Sequence, residues 1–229
     1  MKTIGLIGGM SWESSVVYYQ QINQLVQQRL GGLNSAKIIL YSLNFHEIER
    51  LQYHGEWEQA GEMLADIAKH LEEAGADAIV LCTNTMHKVA NHIQRQIDKP
   101  FLHIAESTLK ALQAQKLYKV GLLGTAFTMQ QDFYKQTFLD AGIDILIPHQ
   151  ADRLLVHEVI YQELCKGIIR FDSKARFKQI IEKLHDEGAE GVILGCTEIG
   201  LLIHSHDSPI PVFNTTQLHI CDIVDFILT

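Results

Sequence analysis

Two side chains that can take up and release a proton lie at matching positions in the chain. Cys196 follows the apolar run GVILG, and Thr83 lies two residues after the apolar run AIVL. The surrounding segments 71–87 (LEEAGADAIVLCTNTMH) and 184–200 (LHDEGAEGVILGCTEIG) align without a gap at an offset of 113 residues. In that register Thr83, and not the neighbouring Cys82, is the counterpart of Cys196.

Such a pair is suited to proton transfer at a carbon atom. If Thr83 and Cys196 approach a substrate carbon from opposite sides, one can remove a proton from one face while the other returns a proton to the opposite face. This is the chemistry that a racemase or epimerase without a cofactor needs. We expect Cys196 to be the stronger base, because a thiol pKa of about 8.5 can be lowered beside helix N-termini. The alternative is that Cys196 is a small buried residue beside a glycine.

Neutral polar residues surround both positions. The hydroxyl and amide groups of Asn84, Thr85, Thr197 and Thr125 could hydrogen-bond the carboxylate and ammonium of a small substrate. The turn GGMS (8–11), which leads into a helix, offers backbone amides as a second seat for a carboxylate. An ordinary tight turn explains the same glycines, and they do not match the dinucleotide pattern G-x-G-x-x-G.

The elements that must position these groups are also visible in the repeat. A charged amphipathic helix precedes Gly75 and Gly188, and glycine accepts the left-handed conformation that ends a helix. The helices should therefore stop at Ala74 and Glu187. The apolar runs that follow are short and lack alternation, which is typical of strands buried on both faces of a parallel sheet. The carboxyl ends of such strands are where open α/β sheets bind ligands.

Two further pairs of segments extend the repeat. IGLIGG (4–9) matches VGLLGT (120–125), and PFLH (100–103) matches PVFN (211–214), at offsets of 116 and 111 residues. We therefore predict an α/β fold made of two parallel-sheet subdomains related by a pseudo-twofold axis, with the active site in the cleft between them. The predicted domains are 1–100 with 210–229, and 101–209.

Within these halves the pattern also predicts individual elements. We expect a polar loop to follow the second strand, through residues 52–55. Single helices are predicted over 86–97, 129–141 and 152–167.

Composition excludes several classes of protein. A net charge of −8 and the lack of a basic run argue against a nucleic-acid surface. No apolar run reaches the roughly 20 residues that span a bilayer, and no leader segment is predicted at the start. The four cysteines are too widely spaced for a zinc site and indicate reduced thiols in the cytoplasm, with Cys165 and Cys221 inert. The histidines show no paired spacing such as H-E-x-x-H, so no metal is expected.

The motifs IGLIGGMSWESS, CTNTMH and GCTE, together with the repeat, resemble the aspartate/glutamate racemase family, and most closely its bacterial broad-specificity amino-acid racemase branch. The resemblance implies two α/β subdomains, a homodimer, a small amino-acid substrate, and inversion of its α-carbon without any cofactor. Two cysteines serve as the proton-transfer groups in that family. This chain departs from the family's Cys-Asn-Thr motif, because Thr83 precedes Asn84. Since adjacent strand residues point to opposite faces, Cys82 should turn away if Thr83 faces the substrate. The departure predicts unequal activity towards the two enantiomers.

Substrate choice is a separate question. A racemase for acidic amino acids should offer a cation to the distal carboxylate. The candidates are Arg50 and Lys166, although such residues are more often simply solvated surface charges. By resemblance, Gln52 and the backbone of Met10 contact the substrate, and we favour broad or neutral substrates over strict aspartate. Two further side chains lie beside the reactive positions and could orient them or be structural: His87 and Glu198.

Two alternative functions remain open at this point. The same scaffold serves cysteine-dependent lyases and isomerases, such as decarboxylases and maleate isomerases. Paired α/β lobes also describe ligand-binding proteins, and the loss of one cysteine is compatible with a catalytically weak amino-acid-binding protein.

Overall fold

The computed structural model describes residues 1–229 and divides them into two compact units. The first unit comprises Met1–Ile104 and His219–Thr229, and the second comprises Ala105–Leu218. Each unit is an α/β layer structure with one four-stranded sheet.

The first unit contains four strands and most of the helices that cover them. Its elements are β1 (Thr3–Gly8), α1 (Trp12–Leu30), β2 (Lys37–Ser42), α2 (Phe45–His54), α3 (Trp57–Glu73), β3 (Ala78–Leu81), a 3₁₀ helix (Thr85–Val89), α4 (Ala90–Gln96) and β4 (Phe101–Leu102). The strands are parallel in the order β2-β1-β3-β4.

The second unit repeats this plan. Its elements are α5 (Ile104–Ala114), β5 (Lys119–Gly124), α6 (Ala126–Gln130), α7 (Asp132–Leu139), β6 (Asp144–Leu146), α8 (Gln150–Gln162), a 3₁₀ helix (Leu164–Lys166), α9 (Phe171–Asp186), β7 (Gly191–Gly195), α10 (Ile199–Leu202), a 3₁₀ helix (Ser205–Asp207) and β8 (Val212–Asn214). The strands are parallel in the order β6-β5-β7-β8, which corresponds strand for strand to the order β2-β1-β3-β4 of the first unit. Helix α11 (Thr215–Leu228) carries the chain back into the first unit.

Strand register confirms the three offsets of the repeat. The pairs Ile4–Ala78 and Ile79–Phe101 of the first sheet recur in the second as Val120–Gly191 and Val192–Val212. Because register fixes which side chains share a face, the two units place corresponding residues at corresponding strand ends. The predicted α/β fold with two parallel sheets is confirmed.

Strand β3 is buried on both faces, as its sequence predicted. Ala78, Val80 and Cys82 pack in the core formed with α1 and α11, whereas Ile79 and Leu81 pack in the core formed with α2, α3 and α4. The alternation follows from the period of two in an extended chain. All five residues of β7 are buried as well.

Both helix ends before these strands have the predicted glycine. Gly75 has φ +97° and Gly188 has φ +94°, directly after the capping residues Ala74 and Glu187. A side chain is strained at such angles, so glycine at these positions allows the chain to turn into the buried strand.

Four predicted elements differ from the structure. The residues predicted as a loop, 52–55, lie largely in helix α2, which Asn44 caps by accepting a hydrogen bond from His46 N–H at 3.3 Å. The prediction missed this helix although Ile48 and Leu51, three residues apart, form its buried apolar face, because charged and polar residues surround them. Each of the three long predicted helices is instead two shorter ones. The breaks are a 3₁₀ segment before α4, extended backbone at Gln131, and a non-helical residue at Glu163.

Candidate active site

Thr83 lies just beyond the carboxyl end of β3. Its N–H donates to the Leu81 carbonyl at 2.9 Å, and its own carbonyl lies 2.7 Å from Nδ1 of His87. The side chains of Thr83, Asn84 and Thr85 are all buried. The structure therefore brings these three predicted residues together at one strand end. The N–H and the carbonyl of Thr83 are both hydrogen-bonded, which fixes the backbone of this segment.

Cys82 has a different environment from Thr83. It is fully buried in the apolar core with α1 and α11, and burial raises the pKa of its thiol. A thiol in such surroundings packs as a small apolar side chain and has little thiolate at neutral pH.

Cys196 lies directly after β7, at the corresponding strand end of the second unit. Its Sγ donates to Oε2 of Glu198 at 2.9 Å, and Oγ1 of Thr197 donates to the same oxygen at 2.7 Å. All three residues are buried. A carboxylate that accepts both hydrogen bonds keeps the thiol in its protonated form.

The surroundings of Cys196 contradict the expectation of a lowered thiol pKa. The pKa of Cys196 is raised well above its ordinary value, first by burial and then by the negative charge of Glu198. A smaller rise comes from the charge of Cys165, in the 3₁₀ helix before α9. Although the thiol follows a strand end, burial and the carboxylate two residues later together outweigh any favourable backbone dipole. Cys196 therefore retains its proton at neutral pH.

Hydrogen bonds within the turn after β1 already use a backbone amide that the sequence predicted to be available for a ligand. Met10 is buried, and the N–H of Gly9 donates to Oγ of Ser15 at 2.7 Å. Ser15 Oγ in turn donates to the carbonyl of Ser11 at 2.9 Å. One of the amides expected to seat a carboxylate is thus engaged within the turn.

Gln52 is connected to the Thr83 strand end, although it lies in helix α2. Its Nε2 donates to Sδ of Met86 at 3.0 Å, and Met86 is the residue after Thr85. Thr125 lies at the end of β5 and caps α6, since its Oγ1 accepts from Thr128 N–H at 3.3 Å. Its hydroxyl therefore has a structural partner as well as the predicted binding role.

The two candidate cations are both exposed. Arg50 is on the outer side of α2, and Lys166 donates from Nζ to Oε1 of Gln162 at 2.8 Å.

Two histidines that the sequence did not single out lie beside His87. The ring centroids of His103 and His219 are 4.4 Å and 6.4 Å from that of His87. The only available signal was the repeat itself, in which His103 corresponds to Asn214 at the offset of 111.

The structure contains no group of three His, Cys, Asp or Glu side chains placed to hold a metal ion. None of its helices is both long enough and apolar enough to cross a membrane.

Comparisons with known proteins identify the family of the chain. The model of the Asp/Glu/hydantoin racemase family matches residues 7–222. Among characterised proteins, the chain is 25% identical over 225 residues to a broad specificity amino-acid racemase of Bacillus subtilis, with 93% of this chain and 92% of the relative covered. It is also 25% identical to a glutamate racemase of Leptospira borgpetersenii, with 79% of this chain and 70% of the relative covered.

Solved structures cover the whole chain. A Yersinia pestis protein assigned to the Asp/Glu racemases is 49% identical, with a TM-score of 0.93 and complete coverage of both chains. An aspartate racemase homologue from Pyrococcus horikoshii is 32% identical, with a TM-score of 0.87 and again complete coverage of both chains.

Proposed function

Because the chain belongs to the Asp/Glu/hydantoin racemase family, it is a cofactor-independent amino-acid racemase, and we propose that Thr83 and Cys196 are its proton-transfer groups. The observation that carries the proposal is their equivalence. Each lies at the carboxyl end of the third strand of its own sheet, in the same hydrogen-bonding register. Each is also followed by buried polar residues that could hold an amino acid.

In this mechanism Cys196 is the principal base, and Glu198 receives its proton. The thiol passes its proton along the 2.9 Å hydrogen bond to Oε2 of Glu198, and the thiolate then removes the α-proton of one enantiomer as its C–H bond breaks. The electron pair moves onto the substrate carboxylate and returns to the α-carbon as Thr83 donates a proton to the opposite face. Solvent then restores the proton that Thr83 has lost and takes up the one held by Glu198. Glu198 is thus proposed to act on Cys196 as well as to bind substrate.

Thr83 makes the two directions unequal. A hydroxyl is an adequate proton donor but a poor base, so removal of the α-proton from the second enantiomer is slow. Since two enantiomers have equal free energies, kcat/KM must be the same in both directions when a single centre is inverted. The asymmetry therefore appears in kcat and KM separately, and in α-proton exchange without inversion.

We further propose broad or neutral substrates. The buried Gln52, held against Met86 beside the Thr83 strand end, offers an uncharged contact. Arg50 and Lys166 are exposed, and Lys166 already has Gln162 as a partner, which weakens the case for a dedicated carboxylate site. The other proposed substrate contacts are Met10, Asn84, Thr85, Thr125 and Thr197.

A panel of L- and D-amino acids in deuterated water tests the proposal. Mass spectrometry reports α-deuterium, and chiral chromatography reports inversion. The wild type should do both. Thr83→Ala should lose inversion by about 100-fold or more but retain exchange into the enantiomer that Cys196 deprotonates, and Cys196→Ala should lose that exchange by a similar factor.

Cys82→Ser is the matched control, because it changes the adjacent thiol and leaves both proposed groups intact. Its exchange and inversion should remain within about threefold of the wild type once folding is checked. The assignment is wrong if Cys196→Ala retains racemisation. It is also wrong if Cys82→Ser loses as much exchange and inversion as Cys196→Ala does. Formation of a decarboxylated or isomerised product instead would identify a lyase or isomerase.

A second copy of the chain is the proposed partner. Helix α1 exposes Trp12, Val16 and Tyr19 at i, i+4 and i+7, with 64%, 50% and 53% of each residue accessible. Together with Leu40 of the edge strand β2 they form what we term the α1 face, beside a cavity of about 290 Å³.

Charge supports self-association at the α1 face. Residues 14–28 contain no acidic or basic residue, in a chain whose net charge is −8. Two copies repel each other elsewhere, so an uncharged aromatic surface is where they can approach, and Trp and Tyr are enriched at such interfaces.

The four free cysteines suit a reducing compartment, and we propose the cytoplasm.

A further inference from the structure

We propose that His87 is a positioning residue for Thr83, acting as a neutral imidazole fixed in one tautomer. The inference rests on the proposed role of Thr83 as a proton-transfer group. It concerns the backbone of that residue, since His87 contacts the carbonyl and not the hydroxyl of Thr83.

The hydrogen bonds of His87 determine its tautomer. Its Nε2 lies 3.3 Å from the N–H of Ile104, which can only donate, so Nε2 must be the unprotonated nitrogen. Nδ1 therefore carries the proton and donates it to the carbonyl of Thr83 at 2.7 Å. The ring connects the end of β3 to the end of β4 through two backbone groups.

The surroundings of the ring keep it neutral. His87 is buried, and its pKa is lowered well below the ordinary value, first by burial and then by His103 and His219. Those two rings are themselves neutral, since burial lowers the pKa of each to about 4. A charged imidazole would lose the bond from Ile104, because both nitrogens would then donate.

The second unit provides an internal comparison. At the offset of 113 the counterpart of His87 is Gly200, and a Cβ added there would lie 2.2 Å from Nδ2 of Asn214. The carbonyl of Cys196, the counterpart of Thr83, accepts a hydrogen bond from the backbone N–H of Ile199 at 3.1 Å instead. The fold therefore builds a strand end of this kind without an imidazole, and His87 is specific to the half that carries threonine.

A physical reason for this difference follows from the chemistry of the two groups. A thiol has a large, polarisable sulfur and a pKa that can be reached, whereas a hydroxyl donates its proton only at short range and in good alignment. With the carbonyl of Thr83 held by His87 and its N–H held by Leu81, rotation about χ1 is the main freedom left to the hydroxyl. A misplacement of about 1 Å can cost 100-fold in rate.

The test compares His87→Asn with His87→Gln, using amino acids in deuterated water. The Asn amide can reach the position of Nδ1 and donate to Thr83, whereas the Gln amide reaches the position of Nε2. We expect His87→Gln to reduce the ratio of inversion to α-proton exchange by 10-fold to 100-fold, because inversion needs Thr83 and exchange at Cys196 does not. His87→Asn should keep that ratio within about threefold, with KM similar in both variants.

His219→Gln is the control for loss of a buried histidine in the same cluster. His219 bonds to Tyr18 and to the carbonyl of Leu102, not to Thr83, so the ratio should not change. An unchanged ratio in folded His87→Gln, or equal losses in the Asn and Gln variants, would overturn the inference alone. A wild type that exchanges no amino-acid α-proton would overturn the proposed function, and the positioning role with it.

Discussion

At the scale of single residues, the resting protonation of Cys196 is the main finding. The sequence pattern suggested a thiol ready to ionise, but the carboxylate of Glu198 lies 2.9 Å from its sulfur. The thiol is therefore protonated at rest, and it cannot act as a base until it has lost its proton. If Cys196 is the base as proposed, its burial and the carboxylate of Glu198 together move the reaction towards alkaline pH.

This relation predicts the effect of Glu198→Gln. If Cys196 removes the α-proton as proposed, exchange needs its thiolate. With a raised thiol pKa, the exchange rate should then increase as the pH rises through the alkaline range. Gln removes the neighbouring negative charge and so lowers the thiol pKa. The rise of the exchange rate with pH should therefore shift by about one pH unit to lower pH. Alkylation of Cys196 by iodoacetamide, followed by peptide mass spectrometry at each pH, measures the thiol pKa directly.

The same series separates the two proposed roles of Glu198. If it also receives the thiol proton, the maximal exchange rate of Glu198→Gln should fall although the alkylation curve moves to lower pH. Cys165→Ser is a suitable control, because it removes the weaker of the two neighbouring charges and should shift the curve less. A curve that stays in place in Glu198→Gln, or moves to higher pH, contradicts the electrostatic explanation.

At the scale of secondary-structure elements, the turn between β1 and α1 is a tightly constrained connection. Gly9 has φ +88°, and a Cβ at this position would lie 2.2 Å from the carbonyl oxygen of Leu43, which is backbone and cannot rotate away. The N–H of Gly9 is also bonded to Ser15. The turn therefore combines a left-handed backbone angle with close approach of a second chain segment.

We expect Gly9→Ala to destabilise the protein by about 3 kcal/mol or more, since strain and a steric clash add to each other. Gly55→Ala is the matched control. Gly55, after α2, is left-handed with φ +73°, and no atom lies within 4 Å of an added Cβ, so only the backbone strain of about 1 kcal/mol applies. Urea unfolding followed by circular dichroism measures the free energy of unfolding of both variants. Equal destabilisation of the two would mean that the backbone at Leu43 moves away from the added Cβ, which contradicts the predicted clash.

The strand ends show why the elements matter for catalysis. Cys82 and Thr83 are adjacent in sequence, yet Cys82 packs in the core with α1 and α11 while Thr83 belongs to the strand end next to His87. A one-residue change of register would exchange their environments. Pairing of β3 with both β1 and β4 prevents this.

At the scale of the whole molecule, the α1 face is the feature that internal packing leaves unexplained. Large aromatic residues that remain half exposed beside an uncharged stretch of helix usually mark a contact with another protein. We expect the wild type to have about twice the chain mass of 25.9 kDa in light scattering at micromolar concentration.

The double substitution Trp12→Glu with Tyr19→Glu should weaken the dimer by about 100-fold or more, because it places four like charges at an interface that has lost its aromatic anchors. Tyr53→Glu changes a tyrosine that is even more exposed, 81% accessible, outside the α1 face and should leave the mass unchanged. A monomeric wild type, or a double variant that stays dimeric, contradicts the proposed interface.

The sequence by itself determined the architecture. Gapless matching of two segments, glycines after charged helices and short uninterrupted apolar runs predicted two parallel α/β sheets, and strand pairing reproduces the three offsets residue by residue. These properties are local in the chain, because burial on both faces and a left-handed cap each require particular residue types at particular positions. The sequence also selected Thr83 and Cys196 as counterparts.

Only the tertiary structure decided the chemical state of the residues it brings together. The raised pKa of Cys196 depends on burial and on where the Glu198 carboxylate turns. The tautomer of His87 depends on a bond from Ile104, which is 17 residues away in sequence. The breaks in the long helices and the Gln52–Met86 contact were missed for the same reason. Electrostatic and packing energies depend on distances in space, and spacing along the chain does not specify those distances.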